Sequence, residues 1–322
     1  MKLSRRELMK LGVGAGASLA LGCRSGVRTD EIAPEGLVQK AIPSSGEMIA
    51  PIGIGTARNR FSIDADPAEI AERKRTLAAF TEMGGSVLDT APTYGTAEVL
   101  CGNLIQEIGN RDKYFIATKI SLRRRARQGG DLKQAGIDQM TESLRRFGTD
   151  VIDLMQVHNL GDTENQLASI REWKQEGRIR YTGITTSSTR QYEAFERVMR
   201  NEELDFVQLD YSLDGRLAEE RLLPLAADRG MAVMVNLPFR RGRVFRRLGD
   251  RPLPGWAAEL NCRTMAQVTL KFIISHPSVT VAIPGTYKMD YLNDNFGAAF
   301  APLPDAAMRK TIADWYDALP EG

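Results

Sequence analysis

Val151-Ile152-Asp153-Leu154-Met155-Gln156-Val157 is a near-continuous apolar run closed by His158. Apolar side chains at both parities mean that both faces of such a strand are covered, as in a parallel sheet flanked by helices. Similar runs recur on either side. Upstream lie Ile52-Gly53-Ile54-Gly55, Ser86-Val87-Leu88-Asp89 and Tyr114-Phe115-Ile116-Ala117-Thr118. Downstream follow Tyr181-Thr182-Gly183-Ile184, Phe206-Val207-Gln208-Leu209, Ala232-Val233-Met234-Val235 and Val279-Thr280-Val281-Ala282-Ile283. Amphipathic stretches separate them, among them Ala68–Met83, Gln134–Phe147, Asn165–Glu176, Glu219–Arg229 and Met265–His276. Eight such strands over about 240 residues, with no break in composition, predict an α/β chain folded as one closed (β/α)8 TIM barrel. The rival is an open doubly wound sheet, which carries a Gly-x-Gly-x-x-Gly turn after an early strand. Ile52-Gly53-Ile54-Gly55-Thr56-Ala57 has the first two glycines and lacks the third. The barrel is the better reading.

The composition narrows the function classes. Of 322 residues, 43% are apolar and 26% charged, which excludes disordered, collagen-like and membrane-bundle chains. Net charge is +2, yet Lys2, Arg5, Arg6 and Lys10 against Glu7 already put +3 in residues 1–22. The remaining chain is close to neutral, so no nucleic-acid partner is expected. Cys23, Cys101 and Cys262 are far apart and the chain has only 2 histidines, so neither a disulfide framework nor a metal site is expected.

Ser4-Arg5-Arg6-Glu7-Leu8-Met9-Lys10 precedes an apolar run from Leu11 to Gly22, broken by Gly12, Gly14 and Gly16. A spanning helix needs about 20 apolar residues, so no spanning membrane segment is expected. A charged start, short apolar centre and small-residue end describe an export signal. It resembles the twin-arginine type, which implies the twin-arginine export machinery as a partner and the periplasm as destination. Leu8 stands where that pattern prefers Phe. Ala20-Leu21-Gly22-Cys23 offers an alternative, cleavage and lipid anchoring at Cys23, with Ala20 where Leu is expected. The domain reading is an export signal over 1–22, a Gly-, Ser-, Thr- and Pro-rich linker over 23–47, and the barrel over 48–322.

In a barrel of this kind, active sites form at the C-terminal ends of the strands. Asp89 closes the second run, with Tyr94 five residues on; Lys119 follows the third and His158 the fourth. Singly, each has an ordinary structural explanation: a helix cap, a loop aromatic, a solvated end, a bonded core histidine. Four mutually useful groups at successive strand ends point to chemistry instead. A tyrosine titrates near ~10 and is a weak proton donor at neutral pH. A neighbouring ammonium lowers that value, and a carboxylate holds the ammonium charged and in place. A histidine orients and polarises a carbonyl oxygen. No side chain supplies the two electrons that a carbonyl also needs, whereas a nicotinamide cofactor does. A lyase working through an imine on Lys119 is a rival, weakened by the carboxylate partner that keeps the lysine protonated.

At these residues the chain resembles the aldo-keto reductase family. The likeness spans residues ~50 to ~300 and rests on Asp89-Thr90-Ala91-Pro92-Thr93-Tyr94-Gly95, Thr118-Lys119, Asp153-Leu154 with His158, and Val281-Ala282-Ile283-Pro284-Gly285-Thr286. It implies Tyr94 as general acid/base in a tetrad with Asp89, Lys119 and His158. It implies NADP(H), with NAD(H) as the alternative, bound across the strand ends without a Rossmann domain, and a small-molecule aldehyde or ketone as substrate. Relatives that reduce steroid double bonds carry glutamate in place of the histidine, so His158 favours carbonyl reduction.

The resemblance also assigns the cofactor's surroundings. Gly55, Thr56 and Ala57 approach the nicotinamide ribose and Gln208 binds the carboxamide. Thr185 and Thr186 stand where relatives carry Ser-Asn. Asn236, Leu237, Pro238 and Phe239 lie under the pyrophosphate, with Asn236 replacing a stacking aromatic that Tyr211 is expected to compensate. Pro284, Gly285, Thr286, Lys288, Tyr291, Asp294 and Asn295 form the adenine end. There Lys288 is the nearest cation to a 2′-phosphate, Tyr291 replaces an arginine, and the next helix offers its N-terminal amides. Arg240-Arg241-Gly242-Arg243 with Arg246-Arg247 reads either as a diphosphate clamp or as a solvated loop, and Arg123-Arg124-Arg125 with Arg127 as a solvated one. Met155 and Trp173 read as packing. A different class remains beside the enzyme: a nucleotide-binding sensor or accessory subunit with this fold and little turnover.

Overall fold

Each of the eight apolar runs forms a strand. The computed structural model describes residues 34–122 and 130–320; the expected export segment 1–22, Cys23 and the arginines of 123–127 lie outside the described residues. The barrel strands are β3 (Ile54–Gly55), β4 (Val87–Asp89), β5 (Phe115–Ile120), β6 (Ile152–Val157), β7 (Ile179–Thr185), β8 (Phe206–Asp210), β9 (Ala232–Asn236) and β10 (Val279–Ala282). The helices between them are α1 (Pro67–Glu82), α2 (Ala97–Ile108), α3 (Leu132–Phe147), α4 (Thr163–Gln175), α5 (Tyr192–Asn201), α6 (Leu222–Asp228), α7 (Arg243–Leu248) and α8 (Met265–Ile274). Two more follow β10, namely α9 (Met289–Gly297) and α10 (Ala306–Asp317).

The strands pair in parallel and in chain order from β3 to β10. The ring closes between its first and last members. Gly53 N donates to Ala282 O at 2.8 Å, Ala282 N to Pro51 O at 2.9 Å, and Gly55 N to Pro284 O at 3.0 Å. Closure removes both sheet edges. It also explains the glycines of β3: a Cβ on Gly53 would lie 2.8 Å from Val87 O, and one on Gly55 2.9 Å from Ile283 O.

The period of two sorts the strand residues. Val87, Phe115, Ala117, Leu154, Tyr181, Phe206, Ala232, Met234, Val281 and Ile283 fill the interior. Leu88, Ile116, Met155, Ile184, Val207 and Ala282 face the helices. At the interior's base the rings of Phe115, Tyr181 and Phe206 lie 5.6–5.7 Å apart. Burial of each such side chain contributes about 1.5–3 kcal/mol.

The stretch expected as linker carries structure. Lys40–Ala41 (β1) pairs antiparallel with Met48–Ile49 (β2). Ile42 and Ile49 cap the base of the interior, and Tyr181 OH reaches Ser45 Oγ and Glu47 Oε2, both at 2.7 Å. Farther back, Val38 N bonds Ala299 O at 2.9 Å. Two-residue strands carry too little pattern to be seen beneath a Gly- and Ser-rich composition. At the other end of the barrel the interior turns polar.

Candidate active site

Asp89 ends β4 and Lys119 stands one residue before the end of β5, both pointing inward and 3% and 1% exposed. Lys119 Nζ donates to Asp89 Oδ1 at 2.6 Å and to Thr90 O at 2.7 Å. Gln208, on β8, donates Nε2 to the same Asp89 oxygen at 2.7 Å. The Asp89 backbone is held as well: its carbonyl accepts the amide and the hydroxyl of Thr56, both at 3.0 Å. Two donors therefore converge on one carboxylate oxygen, above a backbone that is itself held. Burial alone would push the Lys119 ammonium down, but Asp89 and Tyr94 outweigh it and hold it above its ordinary value.

Tyr94 lies in the turn between β4 and α2, its ring centroid 5.3 Å from Lys119 Nζ. Gly95, at φ +67, lets the chain turn directly after it and leaves space for Asn59 Oδ1 at 2.7 Å from where a Cβ would stand. The expectation that Lys119 brings the phenol below its ordinary value is corrected. Burial and the Asp89 charge together outweigh the ammonium, and the phenol is held above that value.

His158 follows β6, with its ring 5.9 Å from that of Tyr94 at 82°. The chain turns there through positive φ at Asn159 and Leu160, conformations that need outside support. Asn159 N donates to Thr185 Oγ1 at 3.2 Å and Asn159 O accepts Gln191 Nε2 at 2.9 Å. Burial and the Lys119 charge bring the imidazole down to about 3, so it is neutral at physiological pH. Its Nδ1 lies 2.5 Å from Ser121 Oγ, a contact no reading of the sequence singled out.

Around the rim the expected cofactor residues divide. Thr185 and Thr186 spend their hydroxyls locally, Thr186 on Gln191 Oε1 at 2.8 Å. Asn236, at the end of β9, donates to Thr186 O at 2.9 Å, and its Oδ1 is buried without a partner. An acceptor in that condition beside Gln208 fits the amide group of a nicotinamide. Tyr211 does not compensate for the missing aromatic. It shares the outward parity of Leu209, packs against Phe272 and His276, and bonds Arg309 at 2.9 Å. Leu237, Pro238 and Phe239 form the turn after β9, where Leu237 takes φ 50 and the Phe239 ring lies 4.8 Å from that of Phe245, tilted by 43°.

Ala57, expected at the nicotinamide ribose, is exposed, as are Gly285, Lys288 and Tyr291 at the adenine end. Thr286 is buried and receives Asn295 Nδ2 at 2.9 Å, while Asp294 accepts Thr264 Oγ1 at 2.7 Å. Of the N-terminal amides expected on the helix after β10, the first, Met289 N of α9, donates to Glu72 Oε1 at 3.0 Å. The arginine loop is partly spoken for. Arg240, Arg243 and Arg247 lie 3.9, 3.0 and 3.7 Å from the buried Asp214 carboxylate, and Arg240 also pairs with Asp210 at 3.3 Å. Arg241 and Arg246 are exposed and belong to no ion pair among the described residues.

A closed barrel with Asp, Tyr, Lys and His gathered at its strand ends matches one family by sequence. The model of the aldo/keto reductase family covers residues 51–313. The chain belongs to that family. Methylglyoxal reductase YeaE of Escherichia coli is 28% identical over 276 residues, 84% of this chain and 93% of that one. An aldo-keto reductase of Strobilurus tenacellus is also 28% identical, over 74% of this chain and 80% of its own length. Among solved structures, an aldo-keto reductase of Klebsiella pneumoniae in complex with NADPH superposes with a TM-score of 0.70 at 25% identity, covering 87% of this chain and 96% of that chain. The holo form of a Bacillus halodurans aldo-keto reductase gives 0.69 at 26% identity, over 86% and 96%. Membership makes the chain an oxidoreductase of barrel fold. Among the described residues no helix is long and apolar enough to cross a membrane.

Proposed function

We propose that this family member reduces an aldehyde or ketone to an alcohol with NADPH. The observation that carries the reading is the buried Asp89–Lys119 pair set against Tyr94, with a neutral His158 beside it. Asn236 Oδ1, Gln208 and the turn from Leu237 to Phe239 would hold the cofactor, and Lys288 its 2′-phosphate. Bound NADPH would supply a hydride to the carbonyl carbon. The protein's own part is the proton. His158 donates a hydrogen bond to the carbonyl oxygen and orients it toward Tyr94. Tyr94 then gives its proton to that oxygen, and the phenolate left behind is stabilised by Lys119. Asp89 keeps Lys119 charged throughout. An imine on Lys119 is disfavoured, because a lysine held above its ordinary value is a poor nucleophile.

A second reading, a nucleotide sensor with little turnover, is favoured by one observation: neither Asn236 nor the outward-facing Tyr211 provides a ring over the nicotinamide. NADPH oxidation followed with a panel of aldehydes and ketones, methylglyoxal among them, separates the two. A reductase completes many turnovers on at least one substrate, whereas a sensor binds NADPH and stalls at or below one.

The adjacent Arg5 and Arg6 before a glycine-broken apolar run support export to the periplasm by the twin-arginine route. Replacing both with lysine should leave the precursor in the cytoplasm. Unchanged periplasmic accumulation would refute that route.

A further inference from the structure

Ser121 stands two residues beyond Lys119, so strand alternation carries it to the same face, toward the site. Its backbone is gripped at both ends by one side chain of α3. Gln139 Oε1 accepts Ser121 N at 2.8 Å, and Gln139 Nε2 donates to Ser121 O at 3.2 Å. Held in this way, Ser121 Oγ sits 2.5 Å from Nδ1 of His158. From the other side Thr93, the neighbour of Tyr94, directs its hydroxyl at Ser121 Oγ across 3.5 Å.

The proton count follows from these contacts. A serine hydroxyl has a single proton to donate. Two acceptors lie within reach of that proton, His158 Nδ1 at 2.5 Å and Thr93 Oγ1 at 3.5 Å, and the shorter contact takes it. A neutral imidazole has one donor and one acceptor, so an Nδ1 that accepts leaves the ring proton on Nε2. We propose that Ser121, clamped by Gln139, is a positioning residue that fixes His158 as the Nε2–H tautomer, so that the ring donates to the carbonyl oxygen of the substrate. The opposite tautomer would present a lone pair to that oxygen and repel it. The choice matters only for a neutral ring, and burial together with the Lys119 charge keeps this one neutral. The kinetic side rests on the carbonyl-reductase reading; the tautomer rests on the Ser121 contact to a neutral ring.

The test is long-range proton–nitrogen NMR on the whole chain labelled with ¹⁵N-histidine. Only His158 and His276 contribute signals, and a His276→Gln variant assigns them. The expected spectrum shows His158 with its proton on Nε2 in the wild type. In Ser121→Ala the ring becomes a mixture of tautomers, and kcat/KM falls about tenfold, the size of one hydrogen bond to a reacting oxygen. NADPH affinity stays unchanged, and Ser121→Thr keeps both the tautomer and the rate. A wild-type His158 protonated on Nδ1 overturns the proposal, and so does a Ser121→Ala protein with wild-type tautomer and rate. The wild-type spectrum decides even where Ser121→Ala does not fold. A wild type that turns over no carbonyl would contradict the proposed reaction while leaving the tautomer assignment standing.

Discussion

Lys119 Nζ lies 2.6 Å from Asp89 Oδ1, with the two side chains 0% and 4% exposed. Neither charge has access to water, so each depends on the other. Removing one partner of a buried pair strands a charge and costs about 3–5 kcal/mol. Asp89→Ala should therefore lower stability by that order in denaturant unfolding. Adding Lys119→Met to the same chain should recover much of the loss while activity stays absent. An Asp89→Ala protein within about 1 kcal/mol of wild type would mean that the pair does not constrain the fold.

A second consequence concerns pH. An ordinary histidine titrates near ~6.5, but His158 is brought down to about 3, so its charge does not change across the physiological range. The rate of carbonyl reduction should show no limb attributable to this ring between about pH 5 and 8. A limb near ~6.5 that vanishes in His158→Gln would contradict a neutral donor.

Lys119 is the one group that draws the Tyr94 phenol downward, against burial and Asp89. Reduction needs the protonated phenol, so the rate is lost as pH rises through its pKa. Lys119→Met should lower kcat and move this alkaline limb to higher pH, which a pH series of kcat would show. A limb that stays in place or moves down would dissociate Lys119 from the acid.

Cofactor choice should turn on two charged groups at the adenine end, exposed Lys288 and half-buried Glu72. Lys288 is the cation in the motif after β10, while Glu72 occupies the first amide of α9 and sets a carboxylate close to it. Lys288→Ala should reduce the NADPH preference over NADH by about 1–2 kcal/mol in kcat/KM, and Glu72→Gln should increase it. An unchanged ratio in both variants would pass the role to Arg241 and Arg246.

Most of the barrel was legible because its signal is repetitive: eight apolar runs, each long enough to need cover on two faces. The hairpin of β1 and β2 was not, since two residues per strand show no period. Within the site, the residues that end strands were visible by position. Ser121 was missed although it shares the parity of Lys119, because a serine beyond a strand end carries no distinctive chemistry until a histidine is placed against it. Tyr211 was misread for the opposite reason: its ring drew attention, yet the parity of Gln208, which bonds Asp89 inside, already turned residue 211 outward. Glu72 on Met289 joins residues 217 positions apart, and no local pattern announces such a contact.

The central claim is that Tyr94 delivers the proton, and Tyr94→Phe tests it most directly because the ring and its packing remain. The measurement is kcat for reduction of the best carbonyl substrate, with NADPH affinity measured in parallel. General acid catalysis contributes about 10²–10⁴-fold, so kcat should fall by at least that range while NADPH affinity changes little. A Tyr94→Phe protein that reduces the carbonyl within a factor of about three of wild type would contradict the mechanism and leave the family likeness a statement about fold alone.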